Sequence, residues 1–264
     1  MKRLHLFEFE DQFWFPSLLR NYMTDFLRHA TLKLGLDRPL VSLLQRFLDS
    51  THQSKIIDLC SGGGGLLVAL QDHLNAPSGE PIHVCFTDKY PNHDTLIALC
   101  DERPDIRTYV PSPIDARAVP SDLRGLRTLF SAFHHFAPPA ARQILRDAQK
   151  DRVPIAIIEV SERSFRGLLA MMLAPLAVFI LTPGIRPRRL SRFALTYVLP
   201  LIPFFILWDG VVSALRTYSL KELEALRAPL HSSDYVWQTG KTSGPHGYVI
   251  TYMFGFPQTA RPLR

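Results

Sequence analysis

Cysteine is scarce in this chain. The 264 residues include three cysteines, Cys60, Cys85 and Cys100, an odd number without the spacing of a metal site. This set argues against a disulfide framework and favours free thiols in a reducing compartment. The first residues, MKRLHLFEFEDQFWF, also lack the uninterrupted apolar core of a secretory signal, because acidic residues lie inside them. We therefore expect a cytoplasmic protein without a bound metal.

Charged residues are absent from two long segments. Residues 167–185 and 193–208 contain 19 and 16 uncharged residues, and the first approaches the ~20 residues that a membrane-spanning helix needs. The residues between the two segments are rich in arginine: Arg186, Arg188, Arg189 and Arg192. A spanning hairpin would place these arginines on the far side of the membrane from the cytosol, against the positive-inside tendency.

Two interpretations of this apolar insertion stay open. One is a shallow or re-entrant hairpin in a peripheral or monotopic protein, with the arginines near anionic headgroups on the inner face of a membrane. The other is a substrate lid or a dimer interface in a soluble protein. Both suggest an apolar acceptor, such as a lipid or a quinone-like ring. The oligomeric state stays open as well.

The overall composition sets only broad limits. The net charge of +6 and the isoelectric point near 9.4 permit contact with nucleic acid or anionic lipid without requiring either. We expect no nucleic-acid partner. Hydrophobic residues make up 47% of the chain and charged residues 20%, which allows a sizeable core and argues against general disorder. The length fits one large domain, or one domain with an insertion.

Strand and helix patterns alternate over the middle of the chain. Five apolar stretches read as strands: KIIDLC, IHVCFTD, IRTYV, LRTLFSAF and VPIAIIEVS. With helical patterns between them, they predict an α/β fold with a doubly wound, mostly parallel sheet. Near the end, SLKE is a capping box that starts a further helix. DYVWQTG and YVITYMFGF then predict an antiparallel pair that closes one edge of a seven-stranded sheet.

Four regions follow from these patterns. Two helices, broken near Gly35 and Pro39, are predicted before the first strand. Asp11 and Trp14 precede them and are expected to belong to a lid over a ligand site. The predicted regions are an N-terminal helical lid (1–50), an α/β core (51–162), a hydrophobic helical insertion (163–217), and a C-terminal helix with the closing strand pair (218–264).

The run DLCSGGGG, residues 58–65, follows the first predicted strand. Ligands of open α/β sheets bind at the carboxyl ends of the strands, and glycine there lets the backbone approach a ligand. A phosphate-binding loop is excluded, since Leu66 and Leu67 follow the run in place of Lys and Ser or Thr. A dinucleotide turn is matched only in part, because Leu67 stands where the last glycine would be.

Together with FTDKYPN one strand later, this run resembles the first two motifs of the class I S-adenosylmethionine-dependent methyltransferases. The resemblance spans roughly residues 55–162 and 218–256. It implies a Rossmann-like fold, S-adenosylmethionine as cofactor, and an acidic residue, Asp88, that binds the ribose hydroxyls. Two positions depart from the pattern, since Cys60 replaces a common glycine and Gly63 makes the turn looser. The expected cofactor-binding residues are Asp58, Cys60, Gly62, Gly64, Asp88, Lys89, Asp115 and Ser131.

Three residues are candidates for proton transfer. His134 and His135 follow the fourth predicted strand, where the resemblance places the methyl-transfer site. Either could act as a general base, or one could pack while the other faces solvent. Asp209 follows a long apolar run and could be a base with a raised pKa, a helix cap, or the partner of Arg216. Asp58 could favour the cationic end of the cofactor or simply orient the loop.

The sequence therefore predicts S-adenosylmethionine-dependent methyl transfer to a hydrophobic small-molecule or lipid-like acceptor. The apolar insertion would allow this transfer to take place at a membrane surface. Two alternatives stay open. One is a catalytically inactive, membrane-associated binding protein that keeps the same fold. The other is an oxidoreductase that uses the glycine turn for a nicotinamide cofactor, because the turn matches part of a dinucleotide motif.

Overall fold

A seven-stranded sheet forms the centre of the computed structural model, which describes residues 1–35, 38–230, 232–243 and 249–258. The strands are β1 (Lys55–Leu59), β2 (His83–Thr87), β3 (Arg107–Tyr109), β4 (Leu126–Phe130), β5 (Ile155–Glu159), β6 (Tyr235–Ser243) and β7 (Val249–Pro257). Their order across the sheet is β3-β2-β1-β4-β5-β7-β6. Neighbours among β1 to β5 are parallel, whereas β7 runs antiparallel to both β5 and β6. The predicted mostly parallel sheet with a closing antiparallel pair is confirmed.

Helices connect the strands and form the insertion. They are α1 (Ser17–Leu34), α2 (Arg38–Thr51), α3 (Gly65–Gln71), α4 (His93–Glu102), α5 (Pro138–Lys150), α6 (Phe165–Leu181), α7 (Leu190–Phe193), α8 (Leu201–Arg216) and α9 (Leu220–Arg227). The predicted capping box is present at the start of α9, where Ser219 and Glu222 bond reciprocally. The predicted loop between β6 and β7 falls largely on residues 244–248, outside the described residues.

The sheet is covered on both faces because its strands bury residues on both sides. In β5 all five residues are buried, as expected of a strand between two helical layers. Ala156 and Ile158 pack with side chains of α2, α3 and α4. Ile155 and Ile157 pack on the opposite face with side chains of α5 and α9. This alternation gives the doubly wound arrangement, with one apolar core on each face.

The N-terminal helices break where the sequence predicts. Gly35 ends α1 in the left-handed conformation, with φ of 61°, and its backbone N–H bonds back to the last turn. Pro39 lies in the first turn of α2, where a proline is tolerated because its missing N–H has no helical partner. The break therefore falls before Pro39, and Leu36 and Asp37 lie outside the described residues.

The apolar insertion consists of α6, α7 and α8. In the described part of the chain, the helical segment Phe165–Gly184 is long and apolar enough to cross a membrane. Only 11% of its apolar 18-residue stretch is buried. The second apolar segment bends by 73° between Leu190–Val198 and Leu201–Arg216. Buried residues of α6 and α8 pack with α1 in a third apolar cluster. One side of the insertion is thus fixed to the body, and most of α6 faces outward.

The glycine turn after β1 allows a direct test of the fold. Gly64 has φ of 77°, and a Cβ there would lie 2.6 Å from Leu99 Cδ1 and 2.8 Å from Val68 Cγ2. Gly64→Ala should therefore lower the free energy of unfolding by about 2 kcal/mol or more, through backbone strain and overpacking. Urea denaturation measures this loss.

Gly65→Ala is the matched control. Gly65 also has positive φ, 33°, but a Cβ there would meet no atom within 4 Å. The control should cost at most about 1 kcal/mol. Equal losses in the two variants would contradict the packing argument for Gly64.

Candidate functional site

The glycine turn takes its conformation from packing. Gly62 and Gly64 have positive φ, 53° and 77°, and so does Cys60, with φ of 59°. Cys60 thus occupies a conformation that glycine adopts most easily, which fits its position in place of the common glycine. A Cβ at Gly63 would lie 3.2 Å from the carbonyl oxygen of Thr24 in α1. The absence of a side chain at Gly63 therefore lets α1 pack directly over the turn.

Asp88 joins the loops that follow the first three strands. Its Oδ2 accepts a hydrogen bond from the Gly62 N–H at 2.7 Å, and its Oδ1 accepts one from the Tyr90 N–H at 2.7 Å. Its backbone carbonyl accepts from the Ile114 N–H at 2.9 Å. A carboxylate has about four acceptor positions, so two remain for a ligand's hydroxyl groups. The structure brings Asp88 and the glycine turn together, as the ribose assignment requires.

Asp58 lies inside the sheet. It is buried, and its Oδ1 accepts from the Thr128 hydroxyl of β4 at 2.6 Å. Its backbone carbonyl also accepts from the hydroxyls of Ser61 and Thr87. Burial raises the pKa of Asp58 to about 7, against the lowering effect of the Thr128 and Ser61 hydroxyls. The contacts favour a loop-orienting role for Asp58.

The remaining predicted cofactor residues lie at the same edge of the sheet. Asp115 is half-buried and accepts from the Arg117 guanidinium at 2.5 to 3.1 Å, and these hydrogen bonds lower the pKa of Asp115. Lys89 is exposed after β2. Ser131 is exposed directly after β4, with φ of 48°. The predicted strand LRTLFSAF was too long, because this left-handed residue ends the strand at Phe130.

His134 is buried and oriented by the end of β5. Its backbone N–H donates to Glu159 Oε1 at 3.0 Å, and its Nδ1 lies 2.7 Å from Glu159 Oε2. With Glu159 ionised, Nδ1 carries the proton and Nε2 keeps a lone pair. His135 stacks on His134 with ring centroids 4.4 Å apart. The two histidines therefore lie together, but only His134 is fixed by a strand-end carboxylate.

His135 is covered by residues 3–16, which we call the strap. Its Nδ1 lies 3.0 Å from both Glu8 Oε2 and Asp11 Oδ1. Burial alone lowers the pKa of His135, but the two carboxylates outweigh it and raise this pKa well above 6.5. Burial likewise raises the pKa of Glu8, and the histidines and Arg216 bring it down to about 2. Asp11 was predicted in the lid, whereas the pairing of Glu8 was not foreseen.

Asp209 holds the strap in place. It lies within α8, is buried, and accepts from the backbone N–H groups of Phe9 and Glu10 at 2.8 and 3.1 Å. Burial raises the pKa of Asp209 to about 7. Asp209 does not cap α8, which begins after Pro200. Arg216 instead contacts Glu8 and Asp11 at 2.9 and 2.7 Å, so the structure does not form the Asp209–Arg216 pair that was one of the alternatives.

The buried carboxyl of Asp58 makes stability depend on pH. Because its pKa is raised from 3.8 to about 7, the folded state holds a proton that the unfolded state releases. The stabilisation that this proton gives the folded state is lost as pH rises from about 4 to about 7. Over that range this loss lowers the free energy of unfolding by about 4 kcal/mol. Asp58→Asn lacks the titration, so its stability relative to the wild type should increase over this range, as measured by urea denaturation.

The exposed Asp105, before β3 at the opposite edge of the sheet, provides the control. Asp105→Asn should keep a constant difference from the wild type between pH 4 and pH 7. The same flat profile for Asp58→Asn would contradict the raised pKa of Asp58.

Comparison with known proteins reveals similar structures without sequence relatives. No protein-family model matches the chain, and no curated protein matches it. An O-methyltransferase family protein from Burkholderia thailandensis is 13% identical, with 86% of this chain and 57% of that chain covered and a TM-score of 0.47. Mitomycin 7-O-methyltransferase is 14% identical, with 81% of this chain and 53% of that chain covered and a TM-score of 0.48. Magnesium protoporphyrin IX methyltransferase from Synechocystis, with bound SAH, is 12% identical, with 87% of this chain and 85% of that chain covered and a TM-score of 0.45.

These similarities concern the fold. This chain spans less than two thirds of the first two proteins, by the coverage of 57% and 53%. The strand order itself is the evidence for the fold. The closing pair β7 and β6 extends a parallel sheet that carries a glycine turn after β1. The chain has a Rossmann-like α/β fold with a doubly wound, mostly parallel seven-stranded sheet, as the sequence predicted.

Proposed function

We propose that this protein transfers a methyl group from S-adenosylmethionine to a hydrophobic, lipid-like acceptor at a membrane surface. One observation carries the proposal: Asp88 bonds to Gly62 at the carboxyl edge of the sheet. Cys60 and Ser131, both in the left-handed conformation, end the adjacent strands β1 and β4 at this edge. Such backbone is costly for residues other than glycine and concentrates at functional sites.

The residues at this edge fit the cofactor. Asp88 keeps acceptor positions for the ribose hydroxyls, and a carboxylate makes stronger hydrogen bonds than a neutral acceptor. Asp115 lies in the loop after β3, which bonds to the Asp88 loop through Ile114, and it would hold the adenine amino group. Gly62 and Gly64 shape the turn beneath. When bound, the cofactor supplies an activated methyl group, so much of the catalysis can come from positioning.

The three predicted bases differ in their surroundings. His135 lies between two carboxylates that favour its protonated form, so it cannot accept a proton while the strap is in place. Asp209 is occupied by two backbone N–H groups of the strap. His134 Nδ1 bonds to Glu159, so in the neutral ring Nε2 is the nitrogen left with a lone pair. Of these candidates, we assign the role of general base on an acceptor hydroxyl to His134.

The apolar insertion and the strap present a hydrophobic surface. Most of the exposed large apolar side chains in the described residues lie on these two segments. On these two segments, the most exposed are Phe13, Trp14, Phe165, Met172, Leu173, Leu176, Ile180, Leu190, Val198, Leu199 and Phe204. Strap and insertion are joined by the bond from Trp208 Nε1 to the carbonyl of Phe7 at 3.0 Å. The same strap covers His135, so an apolar surface adjoins the site.

Charge supports an anionic bilayer as the partner of this surface. Arg186 and Arg188 are exposed at the turn of the insertion. The other two arginines are engaged elsewhere, since Arg189 pairs with Asp94 and the buried Arg192 pairs with Asp25. The predicted headgroup cluster of four arginines therefore reduces to two exposed residues. We propose a location on the inner face of a membrane, by insertion of apolar side chains without a complete span.

Replacing Asp88 tests the cofactor site. Asp88→Asn keeps an acceptor for the Gly62 N–H but removes the charge that strengthens hydrogen bonds to the ribose. The Kd for S-adenosylmethionine should rise at least about tenfold, since a charged hydrogen bond contributes roughly 1.5–3 kcal/mol. Titration calorimetry with S-adenosylmethionine, S-adenosylhomocysteine and NADH measures the change.

The exposed Asp105→Asn variant should bind like the wild type. Preference of the wild type for NADH would favour the oxidoreductase alternative, and no binding of any of the three would overturn the cofactor assignment. Transfer of a labelled methyl group to a lipid extract tests the activity itself. Cofactor binding without transfer to any fraction would favour the inactive binding protein.

The membrane proposal predicts a loss on neutralising the exposed arginines. Each arginine near an anionic surface contributes about 1 kcal/mol. Arg186→Gln/Arg188→Gln should therefore weaken binding to phosphatidylserine-containing vesicles by about 30-fold at low salt. Vesicle flotation over a range of lipid concentrations measures this affinity.

Arg146→Gln/Lys150→Gln on α5 removes the same charge from exposed positions outside the insertion and should leave flotation nearly unchanged. A wild-type protein that does not float with anionic vesicles at low salt would rule out the surface as a membrane site.

A further inference from the structure

Glu8, His134 and His135 converge on one point beneath the strap. The two histidines belong to the short 3-10 helix Phe133–His135 after β4, and Glu8 reaches them from the strap. A carboxylate oxygen of Glu8 and one ring nitrogen from each histidine lie within 4.8 Å of one another. Two imidazoles and a carboxylate are ligands that divalent transition metals share.

Several atoms of this cluster lack hydrogen bonds. Glu8 is 0% exposed and His134 is 2% exposed. Both Glu8 oxygens, His134 Nε2 and His135 Nδ1 are buried without a hydrogen-bond partner among the described residues. Glu8 does have charged neighbours, with Arg216 Nη1 at 2.9 Å and His135 Nδ1 at 3.0 Å. These contacts have the distance of ion pairs but not the angles of hydrogen bonds, so acceptor capacity remains.

Carboxylates surround the ring of His135. Glu8, Glu10 and Asp11 all place a carboxylate oxygen within 3.8 Å of its ring nitrogens. Arg216 is the guanidinium that pairs with two of these carboxylates. Buried carboxylates need compensation, because an unpaired charge in a low-dielectric interior is costly. Arg216 and a protonated His135 can supply it, and a metal cation would take the place of the His135 proton.

The orientation of His134 suits a metal ligand. Glu159 lies 2.7 Å from Nδ1 and fixes the ring with Nε2 directed away from the strand end. Histidines that bind metals commonly donate their other N–H to a carboxylate in this way, which fixes the tautomer and increases ligand basicity. His134 thus has the carboxylate of such an arrangement on Nδ1 and a buried Nε2 that could bind the metal.

We propose that Glu8, His134 and His135 bind a divalent transition-metal cation, for which Zn²⁺ is the probe. Ligand atoms on one zinc ion lie about 3–4 Å apart, given bond lengths near 2 Å. The cluster would therefore contract by about 1 Å, with His135 losing its proton and Arg216 staying with Asp11. Mg²⁺ should bind poorly, since it prefers oxygen ligands and retains its waters.

The cation would extend the proposed methyl transfer, and this part of the inference rests on the proposed function. Three protein ligands leave a coordination position for an oxygen of the acceptor. A hydroxyl bound there would lose its proton to solvent water near neutral pH, as metal-bound water does, and its oxygen would then take the methyl group with release of S-adenosylhomocysteine. The cation would thus take over the activation otherwise assigned to His134 Nε2, which becomes a ligand. Cation binding itself does not depend on any transfer activity.

Metal titration of the full chain tests the site. Calorimetry with Zn²⁺, after treatment with a chelator, should show one site with micromolar or tighter affinity, and saturating Zn²⁺ should raise the Tm. Glu8→Gln and His135→Gln should each weaken this affinity by about 100-fold or more. Glu159→Gln, which alters only the support of His134, should weaken it by about 10- to 100-fold.

Glu10→Gln is the matched control, because it removes a strap carboxylate that is not among the three ligands, and its affinity should stay within about threefold of the wild type. The Tm of each variant without metal shows whether it is folded. Zn²⁺ binding unchanged in both Glu8→Gln and His135→Gln would overturn the proposal, as would a wild-type protein that binds no Zn²⁺ and gains no Tm. Failure of methyl transfer with Zn²⁺ still bound would contradict the proposed function while leaving the metal site intact.

Discussion

The buried guanidinium of Arg216 holds together the parts of the molecule that surround the candidate site. It ends α8, contacts Glu8 and Asp11 of the strap, and donates to the carbonyl of His135 at 2.7 Å. Insertion, strap and strand-end turn are therefore joined at one side chain. Loss of this residue would leave two carboxylates without their cation, which costs far more than a surface ion pair contributes.

This connection makes the apolar surface and the site parts of one structure. Asp209 of α8 fixes the strap backbone, and the aromatic rings of Phe7 and Trp208 pack 5.4 Å apart between strap and helix. Because the strap also covers His135, these contacts join the insertion, the strap and the candidate site in one packed unit.

Much of the fold could be predicted because its signals are local. The apolar strands, the capping box of Ser219 and the glycine break at Gly35 each depend on neighbouring residues. The glycine turn and Asp88 were also placed at one edge of the sheet, since parallel strands end together. Contacts of side chains were less accessible. Nothing in the local pattern indicated that Asp58 would bond to Thr128, and Ser131 carried no signal of its left-handed backbone.

By itself, the sequence determined the order of strands and helices along the chain, the edge of the sheet at which a ligand is expected, and the separate apolar insertion. These follow from periodicity and turn chemistry within short windows. Only the tertiary structure decided the partners of the charged residues: Arg192 is buried against Asp25, and Glu8 and Asp11 meet His135. The physical reason is that a buried charge takes its state from groups distant in sequence, which the folded chain alone brings within a few ångströms.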